Sequence, residues 1–294
     1  MPDQTSEPSS ADLQLSFAQL LPWLGIGAPL PNQFQSIAEV PLIILVGVTA
    51  AGKNTATAAM QKLGIGFTLL PNRRTISDRI TIPLMLGSYA KTDPSEIASE
   101  IASEIAKLDR VERLHYTGQF RQKYPGGMAQ VIAKMSIASS LVEGLVVFDG
   151  LRGAAEVGYG AINLPQAQFI VLEAPDLVRL KRLLTRNDPF DRTNSTQSLQ
   201  SNLPHNFSSL GVPDAALIFN PGQEQEIFDL LQSGQIEINQ LISKLRIIIA
   251  ERQNYDPQAA KDRLMAIAPE RTLCIDTSTT KPKRIAHLIK DYLG

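Results

Sequence analysis

Residue types suited to phosphate chemistry concentrate between positions 41 and 55, PLIILVGVTAAGKNT. An apolar run from Leu42 to Val46 reads as a buried strand that ends at Gly47. Four residues later come Gly52 and Lys53, followed by a stretch of helix character from Ala56 to Leu63. This is the G-x-x-x-x-G-K pattern of a P-loop in its strand, loop, helix context. Glycines at 47 and 52 free the backbone around Thr49, Ala50 and Ala51 to curl N–H groups about a phosphate. The following helix points its positive end at the same place, and Lys53 adds a compact cation for the outer phosphates. The Ser or Thr that usually follows the lysine as a Mg²⁺ ligand is Asn54 here, and Thr55 stands one residue further on. An amide oxygen is a poorer substitute for that hydroxyl, so Asn54 bears on metal handling more than on phosphate binding. The plain alternative is a Gly-rich strand-to-helix turn with a solvated lysine.

Three further stretches carry candidate residues. In LVVFDGLRG, Leu145 to Gly153, an apolar strand delivers Asp149 to its carboxyl end, where ligands gather in open α/β sheets. Asp149 there suits a water-mediated Mg²⁺ contact and Arg152 suits an anionic acceptor. A turn or N-cap aspartate is the alternative. NRRTISDR places Arg73, Arg74 and Arg79 after a second strand, and guanidinium forks grip phosphates or carboxylates at two points. RLKRLLTRNDPFDR spaces Arg179, Arg182 and Arg186 along a helix before Arg192 and a long polar stretch, residues 193 to 213. That order suits a lid over a transferring phosphoryl group, with Arg182 and Arg186 ahead of Arg179. A surface helix with solvated arginines is again the alternative.

The chain has 294 residues, a net charge of −1 and one cysteine, Cys274. Balanced charge argues against a nucleic-acid-coating surface, and one cysteine excludes a disulfide framework. His115, His205 and His287 are scattered without ligand spacing. The apolar run around Leu42 is far short of a membrane span, and MPDQTSEPSS is polar and acidic, unlike a signal peptide. A reducing, cytoplasmic setting is the expectation, with no membrane partner.

Strands are expected at 42–48, 67–70, 145–149, 168–174, 215–219 and 272–275, mostly as continuous apolar runs separated by helical patterns. This alternation predicts an α/β fold with a mostly parallel sheet covered by helices on both faces. Leu13 to Leu24 reads as a short helix after a tail, with a linker to about Ala38. A helix is expected from Asp93, a cap followed by Pro94 and Glu96, to Tyr116, with Glu100 and Glu104 on its solvated face. Another is expected from Gly127 to Val142. Residues 223 to 265 read as mainly helical, with the basic, apolar-faced stretch Ile236 to Arg252 packing on the core. The first forty residues therefore form a tail and short helix. The remainder forms one domain with a helical acceptor region at 72–143, a lid-like loop at 187–213 and a helical insertion at 223–268.

GVTAAGKNT, DGLR and the arginine-bearing helix together resemble the nucleoside-monophosphate-kinase group of P-loop kinases. VVFDGLRGAAE is similar to the adenylate-kinase D-G-x-P-R element, with Leu151 at the proline position. LLPNRRTISDR resembles the guanylate-kinase strand leading to a T-x-R signature, and the GKNT ending resembles some phage-type deoxynucleotide kinases. VPDAALIFNPG and RTLCIDTS resemble late strands of the same fold. The resemblance covers about 41–220 and 271–293, and it implies a three-layer P-loop fold and an ATP-dependent phosphotransferase. By that resemblance Lys53 and the loop hold the donor phosphates of ATP. Asp149 and Thr55 organise Mg²⁺, Arg73, Arg79 and Arg152 hold the acceptor, and Arg182 and Arg186 cover the moving phosphoryl. The acceptor is expected to be a nucleotide or a similar small phosphorylated metabolite. A polynucleotide or tRNA-end kinase is a second reading, disfavoured by the neutral charge. A P-loop protein without transferase activity, a sensor or partner-binding module, is the third, and Asn54 and the helical insertion are its supporting features.

Overall fold

A computed structural model describes residues 12–87, 99–108, 110–186 and 204–294. In chain order its elements begin with β1 (Ala18–Leu21), β2 (Leu24–Ile26), β3 (Gln35–Ser36), β4 (Leu42–Val46), α1 (Lys53–Lys62) and β5 (Phe67–Leu69). Then come α2 (Arg73–Ile76), α3 (Ile82–Met85), α4 (Ser99–Lys107), α5 (Arg110–Lys123), α6 (Gly127–Ile132), β6 (Met135–Ile137) and β7 (Leu145–Leu151). The chain continues through α7 (Ala154–Asn163), β8 (Ala167–Glu173), α8 (Asp176–Leu184), α9 (Pro221–Gln232), α10 (Ile238–Asn254) and α11 (Pro257–Ile267). It closes with β9 (Thr272–Asp276) and α12 (Pro282–Leu293).

The fold is α/β, as expected, with a five-stranded parallel sheet in the order β5-β7-β4-β8-β9, flanked by helices. Every residue of β4 is buried, which is why its sequence is a continuous apolar run rather than an alternating one. β4 pairs with β7 so that Leu45 stands opposite Asp149 and Val46 opposite Leu151, with an irregularity between them. β7 therefore runs two residues past its expected end at 149, whereas β4 stops two residues short of 48. A second, antiparallel sheet orders β1-β2-β6-β3.

The chain divides into two compact units. Within the described residues the first draws on Met1–Val46, Gly64–Ile170 and Gln258–Leu273, and the second on Gly47–Leu63, Val171–Pro257 and Cys274–Gly294. The second unit has a core built from Leu180, Leu183, Phe207, Phe219, Phe228, Leu241, Leu245 and Ile248 among others. The Phe207 ring lies 5.8 Å from that of Phe219 and 5.6 Å from that of Phe228. The stretch Ile236 to Arg252 packs as expected: α10 turns Leu241, Ile242, Leu245, Ile247 and Ile248 into this core.

Several expectations are corrected. Leu13 to Leu24 is not helical. Leu13 and Leu15 are buried between exposed neighbours, a period of two, and Pro22 sits at the turn between β1 and β2. Residues 215–219 are not a strand: Ala215–Leu217 belong to a 3₁₀ turn, Pro213–Leu217, and Ile218 caps it. Helical spacing buries Ala215 and Phe219 and leaves Leu217 88% exposed, whereas a strand would put all three on one face. The helix from Gly127 stops at Ile132, because Met135–Ile137 pairs with both β2 and β3. The helix expected from Asp93 appears in its described part as α4 and α5. Arg113 donates to the carbonyls of Ile105 (2.6 Å) and Leu108 (3.1 Å), satisfying the end of α4 where a single helix would have continued. Its Asp93 cap, Pro94 and Glu96 lie outside the described residues, as do Arg192 and most of the 193–213 stretch. From 204 onward that stretch is anchored, with Phe207, Leu210 and Val212 in the core.

Candidate functional site

The loop after β4 is shaped by its own lysine and by side chains from α8, α10 and the end of β9, all in the second unit. Gly52 precedes α1 with φ 104°, a conformation that favours glycine, and a Cβ there would press on the Thr277 side chain at 3.1 Å. Ala50 also has positive φ, 62°, which costs a non-glycine residue about 1–2 kcal/mol and must be held by its surroundings.

The holding groups meet the loop's carbonyls one by one. Lys53 Nζ donates to Gly47 O (2.8 Å) and Val48 O (3.2 Å). Arg179 Nε donates to Thr49 O (2.9 Å), and Arg182 Nη1 to Ala50 O (3.0 Å). Ala51 O lies 2.8 Å from Thr277 Oγ1. With the carbonyls turned to protein donors, the backbone N–H groups of Ala50, Gly52, Asn54 and Thr55 have no acceptor among the described residues. They lie along the loop and the first turn of α1, a ten-residue helix with no side-chain cap. Such an array of N–H groups at a helix start is suited to an anion with several oxygens. Asn54 and Thr55 are exposed on that first turn.

Arg182 is drawn into this frame. Besides Ala50 O it donates to Thr277 Oγ1 (3.0 Å) and to Thr277 O (2.6 Å). Burial holds its pKa below the ordinary value, although Asp276 acts the other way. Arg179, expected last among the arginines to meet phosphate, is 1% exposed and paired with Asp176 and Glu251. Arg186 is exposed beyond the end of α8.

In the first unit, Arg73 forms a two-point pair with Glu156, whose side chain is 2% exposed, and donates to Gly150 O at 3.0 Å. Glu156 also accepts the backbone N–H groups of Arg152 (3.3 Å) and Met128 (3.4 Å). Gly127, at φ 52°, leaves room for this carboxylate, since a Cβ there would lie 2.7 Å from Glu156 Oε1. The structure thus ties Arg73 into a buried network that links α2, β7 and α7. Arg74 is exposed and pairs with Asp78 at 3.7 Å, which Arg113 also binds. Arg79 is exposed and donates to Leu20 O at 3.1 Å. Asp149 and Arg152 are half-buried at the end of β7 and just beyond it.

The two carboxylates have opposite pH signatures. Burial pushes Glu156 up, but the Arg73 charge, its hydrogen bonds and the Met128 N–H together hold it below the ordinary 4.5. Its folded pKa is therefore lower than its unfolded one. Its contribution is complete above about pH 4.5 and is lost as pH falls through the folded value. Burial raises Asp78 above 3.8 in spite of Arg113 and Arg74, so the ionised form costs stability that is recovered as pH falls through that raised value. In urea unfolding at a series of pH values, the stability gap between wild type and Glu156→Gln is expected to close below pH 4.5. A gap that stays constant to pH 3 would contradict this assignment.

Sequence reasoning missed Glu156, Glu251 and Thr277. Glu251 had a signal: it falls three and four residues after Ile248 and Ile247 on the apolar stripe of α10, where a charge needs a partner. Among the described residues there is no group of three or more His, Cys, Asp or Glu placed to hold a metal, and no helix long and apolar enough to cross a membrane. Compared with known proteins, the chain matches no family model and no curated protein.

Proposed function

We propose that the chain is an ATP-dependent phosphotransferase of the nucleoside-monophosphate-kinase type, acting on a nucleotide or a similar small phosphorylated metabolite. In this reading its α/β fold is a three-layer P-loop fold. The observation that carries the proposal is the loop from Gly47 to Thr55, whose carbonyls are occupied by protein donors while N–H groups remain for an anion. Those N–H groups and Lys53 would hold the donor phosphates. Mg²⁺ prefers phosphate oxygens and water with only one or two protein donors. Asn54 and Thr55, exposed on the first turn of α1, fit an ion of that kind and would not hold one alone. When bound, the ion neutralises charge on the phosphates. Asp149, Arg79 and Arg152 belong to the first unit; Asp149 enters on its place on β7, and the two arginines on their places in the chain. Catalysis of this type is positioning and charge stabilisation without a covalent intermediate.

A second reading, nucleotide binding without transfer, draws on the commitments of two expected arginines. Arg73 is tied to Glu156, and Arg182 to Ala50 and Thr277. Incubation with labelled ATP, Mg²⁺ and a panel of nucleotides and an oligonucleotide separates the readings. Transfer to a mononucleotide is the expected result, and binding without transfer to any acceptor would overturn it in favour of the second. Asn54→Thr restores a hydroxyl after the lysine and is expected to raise Mg²⁺-dependent transfer several-fold. An unchanged Mg²⁺ titration would show that position 54 does not reach the ion.

A further inference from the structure

The helix α10 lies in the stretch expected to be a helical insertion packing on the core, yet it also sends a charged side chain onto the glycine loop. Glu251 accepts the Thr49 N–H with both carboxylate oxygens, at 3.1 and 3.2 Å, and also accepts the Thr49 hydroxyl. Arg179 of α8 pairs with the same carboxylate and donates to Thr49 O at 2.9 Å. One residue of the loop is thus gripped on its N–H, its carbonyl and its side chain by a single ion pair. Both partners are buried, with 1% of the Arg179 side chain and 6% of the Glu251 side chain exposed. Buried charges are costly unless paired and fully bonded, and here the loop supplies part of that bonding. Tyr255, one turn further along the chain, is buried with Val48 and Ala51, so the loop is held on its apolar side as well.

We propose that Glu251, braced by Arg179, is a positioning residue that sets the loop in its anion-binding shape. It holds Thr49 outward so that the succeeding N–H groups converge. The inference rests on the nucleotide-binding reading for its consequence, but the clamp itself is measurable without nucleotide. Asp176 extends the network to Arg252 at 2.7 Å, and Arg252 does not touch the loop, which makes it a control for general loosening of the same ion cluster.

The test combines amide hydrogen exchange on the nucleotide-free protein with calorimetric titration of ATP. In Glu251→Ala, exchange of the Thr49 amide is expected to accelerate about tenfold or more, and ATP affinity to fall about tenfold or more. Glu251→Gln keeps one acceptor oxygen and is expected to lie between Glu251→Ala and wild type in both readouts. It also serves if the alanine variant does not fold. Arg252→Ala is expected to match wild type in both. Unchanged exchange at Thr49, unchanged ATP affinity in a protein that binds ATP, or equal losses in Arg252→Ala would overturn the proposal. If wild type binds no ATP while Thr49 exchange responds to Glu251→Ala, the clamp stands and the nucleotide reading falls.

Discussion

Lys53→Ala is expected to weaken ATP binding by about 100-fold or more while the protein remains folded. The ammonium group would contribute one or two charge-assisted hydrogen bonds to phosphate oxygens, each about 1.5–3 kcal/mol, and every 1.4 kcal/mol is tenfold in affinity. The same group donates to Gly47 O and Val48 O, so its loss also removes a brace from inside the loop. Stability should fall by about 1–2 kcal/mol, the cost of a buried carbonyl losing its donor. Titration calorimetry reads the first effect and urea unfolding the second. An affinity within threefold of wild type would mean that the lysine serves only to brace the loop.

The second large effect concerns Arg73 and Glu156. Removing one partner of a buried ion pair strands the other, at a typical cost of about 3–5 kcal/mol. Glu156→Ala also leaves the Met128 and Arg152 N–H groups without their carboxylate acceptor. Arg73→Met leaves a carboxylate with 2% exposure facing Gly127. Each single variant should lower unfolding free energy by about 3–5 kcal/mol. The double variant Arg73→Met with Glu156→Leu should lose well under the sum, because no charge is left unpaired. Equilibrium unfolding of the three variants checks this. Losses below about 1 kcal/mol in both single variants would show that the pair is not built into the core. A large stability loss in Arg73→Met would also mark Arg73 as a framework residue first, whatever it does for an acceptor.

The most legible parts of this chain were those where one physical signal dominated. β4, β7 and β8 are legible because strands buried on both faces are written as continuous apolar runs. The loop from Gly47 to Lys53 was visible because its backbone geometry restricts residue type. The alternation of Leu13, Leu15 and Phe17 marks the extended approach to β1, but the leucine content of 13–24 also fits the helical period. β6 was not legible, because Met135–Ile137 continues a helix-compatible run and becomes a strand only through its partners β2 and β3. The clamp on Thr49 was invisible for the same kind of reason. It joins residues 202 apart in sequence, and no spacing rule connects them. The arginines show the limit of reading charge from sequence. Arg73, Arg179 and Arg182 look alike as candidate anion binders, yet each is directed to carboxylates or carbonyls of the protein itself.

The central claim is that the backbone of this loop receives phosphate. It is tested most directly by following the amide resonances of ¹⁵N-labelled protein during titration with ATP, and separately with pyrophosphate. The amides of Ala50, Gly52, Asn54 and Thr55 are expected to move with both ligands, and that of Thr49, already bonded to Glu251, to move less. Saturating ATP that leaves the first four unmoved, or that shifts only resonances away from the loop, would contradict the account.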